Sequence, residues 1–266
     1  MAGAALIEID RISKSFDGGR NFAVRDVSVN AAPGEFVVLV GTSGSGKTTT
    51  LKSVNRLAEP DAGEVRIEGR PVGAGPAPLL RRSIGYVFQG IGLFPHLSVA
   101  ENIGVTPRLL GWPDAEIVAR VAELLDLTGL PRDYAGRSPD ALSGGERQRV
   151  GVARALAARP RIVLMDEPFG ALDPVTRDAL ATAYRALHDQ LGLTTVMVTH
   201  DVQEAVLLAD RIVVMKAGRV LADDTPAALL TGSPDPDVAA LMAMPRRQAE
   251  RVQRLMQASD RTSPDG

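Results

Sequence analysis

Cysteine is absent from the 266 residues. That excludes disulfides, thiolate nucleophiles and cysteine-bound zinc, and it fits a reducing compartment. Aromatic residues are scarce at 4%, with one tryptophan, too few for the stacking platforms that bind single-stranded nucleic acid. Charge of one sign is also lacking. The 30 basic and 32 acidic residues leave a net charge of −2, so no basic field draws in a polyanion, and no nucleic-acid partner is expected. No apolar run approaches the ~20 residues of a membrane helix; Phe36–Val40 and residues 162–165 are short. The first nine residues lack the charged start and long apolar stretch of a secretion signal. The expectation is a cytoplasmic chain that meets a membrane only through partners.

What is present is an ordinary globular composition, 45% hydrophobic and 23% charged. The length suffices for a full α/β core and a smaller subdomain. The N-terminal part reads as β-structure at residues 6–9, 23–29 and 64–68, with turns at Asp17-Gly18-Gly19 and Pro33-Gly34. Phe36–Val40 is continuously apolar, as a strand buried on both faces must be. Residues 71–78, rich in Gly, Pro and Ala, read as a loop, and 84–88 as a strand. Helical texture runs from 92 to 150, where Ile117, Val121, Leu124 and Leu125 share one helix face. Strands return at 161–165, 194–199 and 211–215, with helical segments between them. That alternation predicts a mostly parallel sheet with crossover helices. In the tail, 237–244 and 246–257 read as two helices parted by Pro245. The second is basic, with Val252, Leu255 and Met256 on one face, and 259–266 read as unstructured.

The decisive stretch is Gly41-Thr42-Ser43-Gly44-Ser45-Gly46-Lys47-Thr48, followed by Thr49. It matches G-x-x-x-x-G-K-[ST] between a strand and a helix. Glycines let amide groups turn inward around phosphate oxygens, and the helix N-terminus adds partial positive charge. Lys47 is placed for the β- and γ-phosphates, and the Thr48 hydroxyl for Mg²⁺. A second apolar strand ends in Asp166-Glu167. Chemistry in open parallel sheets gathers at strand C-termini. Asp166 therefore suits the Mg²⁺ role and Glu167 the polarisation of an attacking water.

Leu142-Ser143-Gly144-Gly145-Glu146-Arg147-Gln148 is a helix start, with Ser143 and Glu146 at capping-box spacing. Its two glycines also leave amides open to an anion. One nucleotide does not need two such sites from a single chain.

This stretch resembles the signature motif of the ATP-binding cassette (ABC) ATPases, and the other family motifs follow in family order. Phe16 matches the aromatic that stacks on adenine; its alternative is a core aromatic. Gln89 matches the glutamine that senses Mg²⁺ and the γ-phosphate. Ala171-Leu172-Asp173 matches the D-loop and His200 the switch histidine, with Asp201 and Glu204 at N-cap and N3 spacing. The resemblance implies an α/β P-loop cassette over residues 4–240, with an antiparallel β subdomain and a helical subdomain near 92–150. The remaining 241–266 would form a short tail. The implied ligands are ATP and Mg²⁺. Phe16, residues 41–49, Gln89, Ser143, Gly144, Gly145, Glu146 and Asp173 would contact nucleotide. Thr48, Gln89 and Asp166 would hold the metal, and Glu167 and His200 would act in hydrolysis. Two cassettes pair head-to-tail in that family, so Ser143, Gly144 and Gly145 of one copy would cover the γ-phosphate held by Lys47 of the other. Closure would pull on transmembrane permease subunits through the region 89–99.

Within the family, Asn55-Arg56-Leu57, Ile91-Gly92-Leu93-Phe94-Pro95 and Gly111-Trp112 resemble the osmoprotectant (glycine betaine/carnitine/choline) import ATPases. Those systems also use a substrate-binding protein, an indirect partner here. Two features depart from that subgroup. Gly90 follows Gln89 in place of another glutamine, and the chain stops before the pair of CBS domains that longer members carry. The alternatives are import of another small solute (amino acid, phosphonate or sulfonate) and a regulatory ATPase without transport.

Overall fold

Three runs in the chain are buried at every residue, and they form the middle of a sheet. The computed structural model describes residues 5–260. Its strands are β1 (Ile7–Ser15), β2 (Phe22–Ala31), β3 (Phe36–Val40), β4 (Ala62–Ile67), β5 (Arg70–Pro71), β6 (Ile84–Val87), β7 (Ile162–Asp166), β8 (Thr194–Thr199), β9 (Arg211–Lys216) and β10 (Arg219–Asp224). One sheet has the order β10-β9-β3-β8-β7-β6. Its pairs from β9 to β6 are parallel, and β10 is antiparallel to β9. β3, β7 and β8 carry no exposed position, which is why they read as unbroken apolar runs. Alternate side chains of β3 enter opposite cores. Phe36, Val38 and Val40 face the helical side, whereas Val37 and Leu39 pack towards the second sheet.

That second sheet is antiparallel, in the order β2-β1-β4-β5. The α-helices are α1 (Lys47–Val54), α2 (Ala77–Ser83), α3 (Val99–Leu109), α4 (Asp114–Leu127), α5 (Gly144–Leu156), α6 (Pro174–Leu191), α7 (Val202–Leu208), α8 (Pro226–Thr231) and α9 (Pro236–Asp260), and short 3-10 turns lie at Val72–Ala74, Arg132–Gly136 and Pro139–Ala141. The expected face of α4 is buried, at Ile117, Val121, Leu124 and Leu125. The architecture is thus the expected one: α/β, a mostly parallel sheet, an antiparallel β layer and a helical portion.

Several local expectations need correction. The helical stretch begins at α3, seven residues beyond Gly92. Ile91 and Gly92 have φ of +62° and +58°, which no helix tolerates, and Ser98 opens α3 with a complete capping box. α2 starts at Ala77, inside the stretch read as a loop. β10 was not expected; Ala217 and Gly218, both at positive φ, turn β9 into it as a tight hairpin. The tail is one helix, α9, with Pro245 inside it rather than two helices. Proline costs one intrahelical hydrogen bond there, while Val238 and Met242 anchor the preceding turns in the core. The unstructured stretch expected from 259 is helical at Ser259 and Asp260. Its remainder, the start at residue 4, and the side chains of Val252, Leu255 and Met256 lie outside the described residues.

Sheet order positions the site. Val40 pairs with Thr199, and Asp166 with Val198. The segments after β3, β8 and β7 therefore leave the same edge side by side, carrying Gly41, His200 and Glu167.

Candidate functional site

The loop at 41–46 bends where only glycine fits. Gly41 and Gly46 have φ of +154° and +100°. A methyl on Gly41 would overlap the Met215 carbonyl, and one on Gly46 the Ala23 carbonyl. The turn is closed by Ser45 N–H donating to the Thr42 carbonyl at 3.2 Å. Gly218 N–H, from the β9–β10 hairpin, donates to the Ser45 carbonyl at 3.1 Å. Thr42, Ser43 and Gly44 stay exposed, and Thr49 is half-buried on the first turn of α1.

Lys47 is buried, and its Nζ donates to the Gly41 carbonyl at 2.7 Å, the Thr42 carbonyl at 2.9 Å and Ser45 Oγ at 3.4 Å. The ammonium is thus held by the loop's own oxygens. Burial pushes its pKa down, against the pull of Glu167 and Asp166. Thr48 Oγ1 donates to Asp166 Oδ1 at 2.8 Å. This hydroxyl–carboxylate pair fits Mg²⁺, which in phosphate sites takes few protein oxygens and completes its shell from phosphates and water. Among the described residues there is no cluster of three or more His, Cys, Asp or Glu suited to a metal.

Two residues at this point were not anticipated. Lys52 Nζ lies 3.9 Å from Asp166 Oδ2, and the Tyr86 hydroxyl 3.5 Å from the same oxygen. Lys52 sits one turn beyond Thr48, a spacing that offered a signal. Tyr86 arrives by the pairing of β6 with β7, which no local pattern signals. Burial, then the charge of Asp166, raises the Tyr86 phenol's pKa.

Glu167 breaks the strand with φ of +45°, a costly conformation for this residue type. Its N–H donates to the Val198 carbonyl at 2.9 Å. Its Oε2 accepts from Gln89 Nε2 at 2.9 Å and faces His200 Nδ1 at 3.4 Å. Gln89, Glu167 and His200 line a cavity of about 320 Å³ together with Gly144 and Arg147. His188, by contrast, is a buried structural residue bonded to Thr195 and the Gly34 carbonyl.

The signature stretch lies apart from the phosphate loop. Ser143 caps α5, with its Oγ accepting from Glu146 N–H and Glu146 Oε2 accepting from Ser143 N–H at 2.7 Å. Those bonds hold the Glu146 carboxyl below its usual range, and Tyr134 donates to its other oxygen. A methyl on Gly144 would meet the Leu172 side chain at ordinary contact distance. A methyl on Gly145 would overlap Thr176. Among the described residues, 143–146 make no hydrogen bond to 41–49. Asp173 is exposed and caps α6 by accepting from Thr176 N–H. Phe16 is 70% exposed, with Lys14 Nζ 5.5 Å from its ring centroid; the core alternative is wrong.

Behind this edge lies a groove of about 470 Å³. Leu57, Phe88 and Phe94 offer it apolar surface, while Arg81, Arg82 and Arg154 line it without any carboxylate.

Residues 24–170 match the ABC transporter family. The chain belongs to that family. It is 48% identical over 230 residues to the choline transport ATP-binding protein OpuBA of Bacillus subtilis, covering 86% of this chain and 60% of that protein. The chain thus spans about three-fifths of that relative's length. It is 52% identical over 226 residues to the glycine betaine uptake system ATP-binding protein YehX of Escherichia coli, covering 85% and 73%. Its fold resembles the dimeric structure of MJ0796, a bacterial ABC transporter cassette. The TM-score is 0.75 at 34% identity, covering 83% of this chain and 98% of that one.

Proposed function

We propose that this chain binds and hydrolyses ATP to energise an importer of osmoprotectant quaternary amines (glycine betaine, choline, carnitine). The observation that carries the reading is the Glu167 carboxylate, touched by Gln89 and His200 at the edge from which the phosphate loop also emerges. In this reading the loop amides of 41–46 and Lys47 bind the phosphates, and Phe16 stacks on the adenine. Thr48, Asp166 and Gln89 would hold Mg²⁺, which supplies charge neutralisation at the β- and γ-phosphates. Glu167 orients a water on the γ-phosphorus, and His200 holds Glu167 and the departing phosphate. The water oxygen bonds to phosphorus as the bond to the bridging oxygen breaks, leaving ADP and inorganic phosphate.

Ser143, Gly144, Gly145 and Glu146 then serve the ATP of a second copy, and Asp173 serves the contact between copies. Their separation from the loop within one chain and the dimeric relative support a homodimer. We assign residues 4–240 to the cassette, 92–150 to its helical part and 241–266 to the tail, which begins within α9. The cationic, apolar-lined groove supports docking of a short acidic helix of a permease subunit, with the chain peripheral at the cytoplasmic membrane face. A substrate-binding protein would act on the far side. Among the described residues no helix is long and apolar enough to cross a membrane.

The test is uptake of labelled glycine betaine and choline in a strain lacking this chain and redundant carriers. Restoration by wild type and not by Glu167→Gln is expected. Uptake unchanged by either would reject quaternary amines and redirect the search to amino acids and oxyanions.

A further inference from the structure

Arg177, on the first turn of α6, touches two segments that approach the site from different sides. Its Nη2 donates to the Leu172 carbonyl at 3.1 Å, and Nη1 to Asp201 Oδ2 at 3.4 Å. Nε is buried without a hydrogen bond and faces Glu204 Oε1 at 3.7 Å. Glu204 is itself buried, and its Oε2 accepts from Thr199 Oγ1 at 2.7 Å. The same Thr199 oxygen accepts from Asp201 N–H at 3.0 Å. Thr199 and Asp201 are the two neighbours of His200. One guanidinium therefore reaches Asp201 directly and Thr199 through Glu204, and at Leu172 it reaches the segment that ends in the exposed Asp173. The His200 ring is 61% exposed, and its Nδ1 faces Glu167 Oε2.

We propose that Arg177 is a positioning residue that sets His200 against Glu167 and ties that setting to the Leu172-Asp173 segment. Its planar fork can serve a carbonyl and two carboxylates at once, which a lysine point charge cannot. The contact to Glu204 is only half made. Movement at Leu172-Asp173 changes how far Arg177 engages Asp201 and Glu204, and so moves the backbone on either side of His200. The inference rests on the reading of Glu167 and His200 as the hydrolytic pair, and its test separates the two.

The full chain contains three histidines, His96, His188 and His200, so histidine-labelled protein gives three ring signals. In Arg177→Ala the His200 Cε1–H signal should shift while those of His96 and His188 stay. Arg177→Lys should move it less, and its turnover should recover in part. Turnover of ATP by Arg177→Ala should fall roughly tenfold through kcat with KM nearly unchanged, the pattern of a misplaced group rather than of lost binding. A His200 signal unmoved in both variants would overturn the proposal, as would shifts at all three histidines. Should Arg177→Ala fail to fold, Arg177→Lys and Glu204→Gln carry the same measurement. A shifted His200 with turnover unaffected would uphold the strut and reject the hydrolytic role of His200.

Discussion

Gln89 Nε2 donates to Glu167 Oε2 at 2.9 Å, although the two residues are 78 positions apart in the chain. They meet because β6 and β7 are parallel neighbours, so both segments leave the sheet at one edge. The bond gives Glu167 a fixed orientation, and His200 approaches the same oxygen.

Replacing Glu167 by Gln should leave phosphate binding intact, because Lys47 and the loop amides do not depend on it. Hydrolysis should fall by about 100-fold or more, the scale of a lost proton-handling group. Labelled ATP should then be retained on a dimer resolved by size-exclusion chromatography. Normal turnover would remove Glu167 from its role.

Lys47→Met should abolish nucleotide binding while changing the stability of the nucleotide-free protein by under about 1 kcal/mol. The buried ammonium contributes charged hydrogen bonds, yet its desolvation opposes them. Urea unfolding and a fluorescent nucleotide titration check the two halves separately. A large loss of stability would show that Lys47 holds the loop together rather than waiting for phosphate.

Two glycines of the same loop should behave differently. Gly44 has φ of +76° and nothing near a would-be Cβ, so Gly44→Ala should cost about 1 kcal/mol of backbone strain. Gly41→Ala adds a collision with the Met215 carbonyl, which is backbone and cannot step aside. Its cost should reach about 3 kcal/mol or more. Denaturant midpoints of the two variants measure the contrast.

His188 gives a pH dependence. Burial lowers its pKa below 6.5 in the folded state. The unfolded chain therefore binds the proton more readily. The stabilisation is full above about pH 6.5 and is lost as pH falls through the folded pKa, at most about 1.4 kcal/mol per unit for one group. His188→Gln should lower stability at pH 7.5 and flatten its decline between pH 6.5 and 5. An unchanged slope would assign the acid sensitivity to other groups.

Local features were legible in the sequence because they are made by neighbours. The capping box of Ser143 and Glu146, the cap of Asp201 on Glu204 and the buried face of α4 all lie within a few residues. The motif residues at 41–48, 166–167 and 200 were legible for a related reason: each sits at the end of an apolar run that must be a buried strand. The joined tail helix was misread because propensity at Pro245 was weighed without the packing of Val238 and Met242.

Apolar runs and motif order dictated the buried parallel strands and the chemistry available at their ends, but not the antiparallel β10. Tertiary structure decided which of those ends share a site. The order β3-β8-β7-β6 gathers Lys47, His200, Asp166, Glu167 and Gln89 and adds Lys52 and Tyr86 to the same carboxylate. It also keeps Ser143 on α5 apart from Lys47. Such meetings depend on strand order and register over separations of about a hundred residues, and no local propensity encodes them.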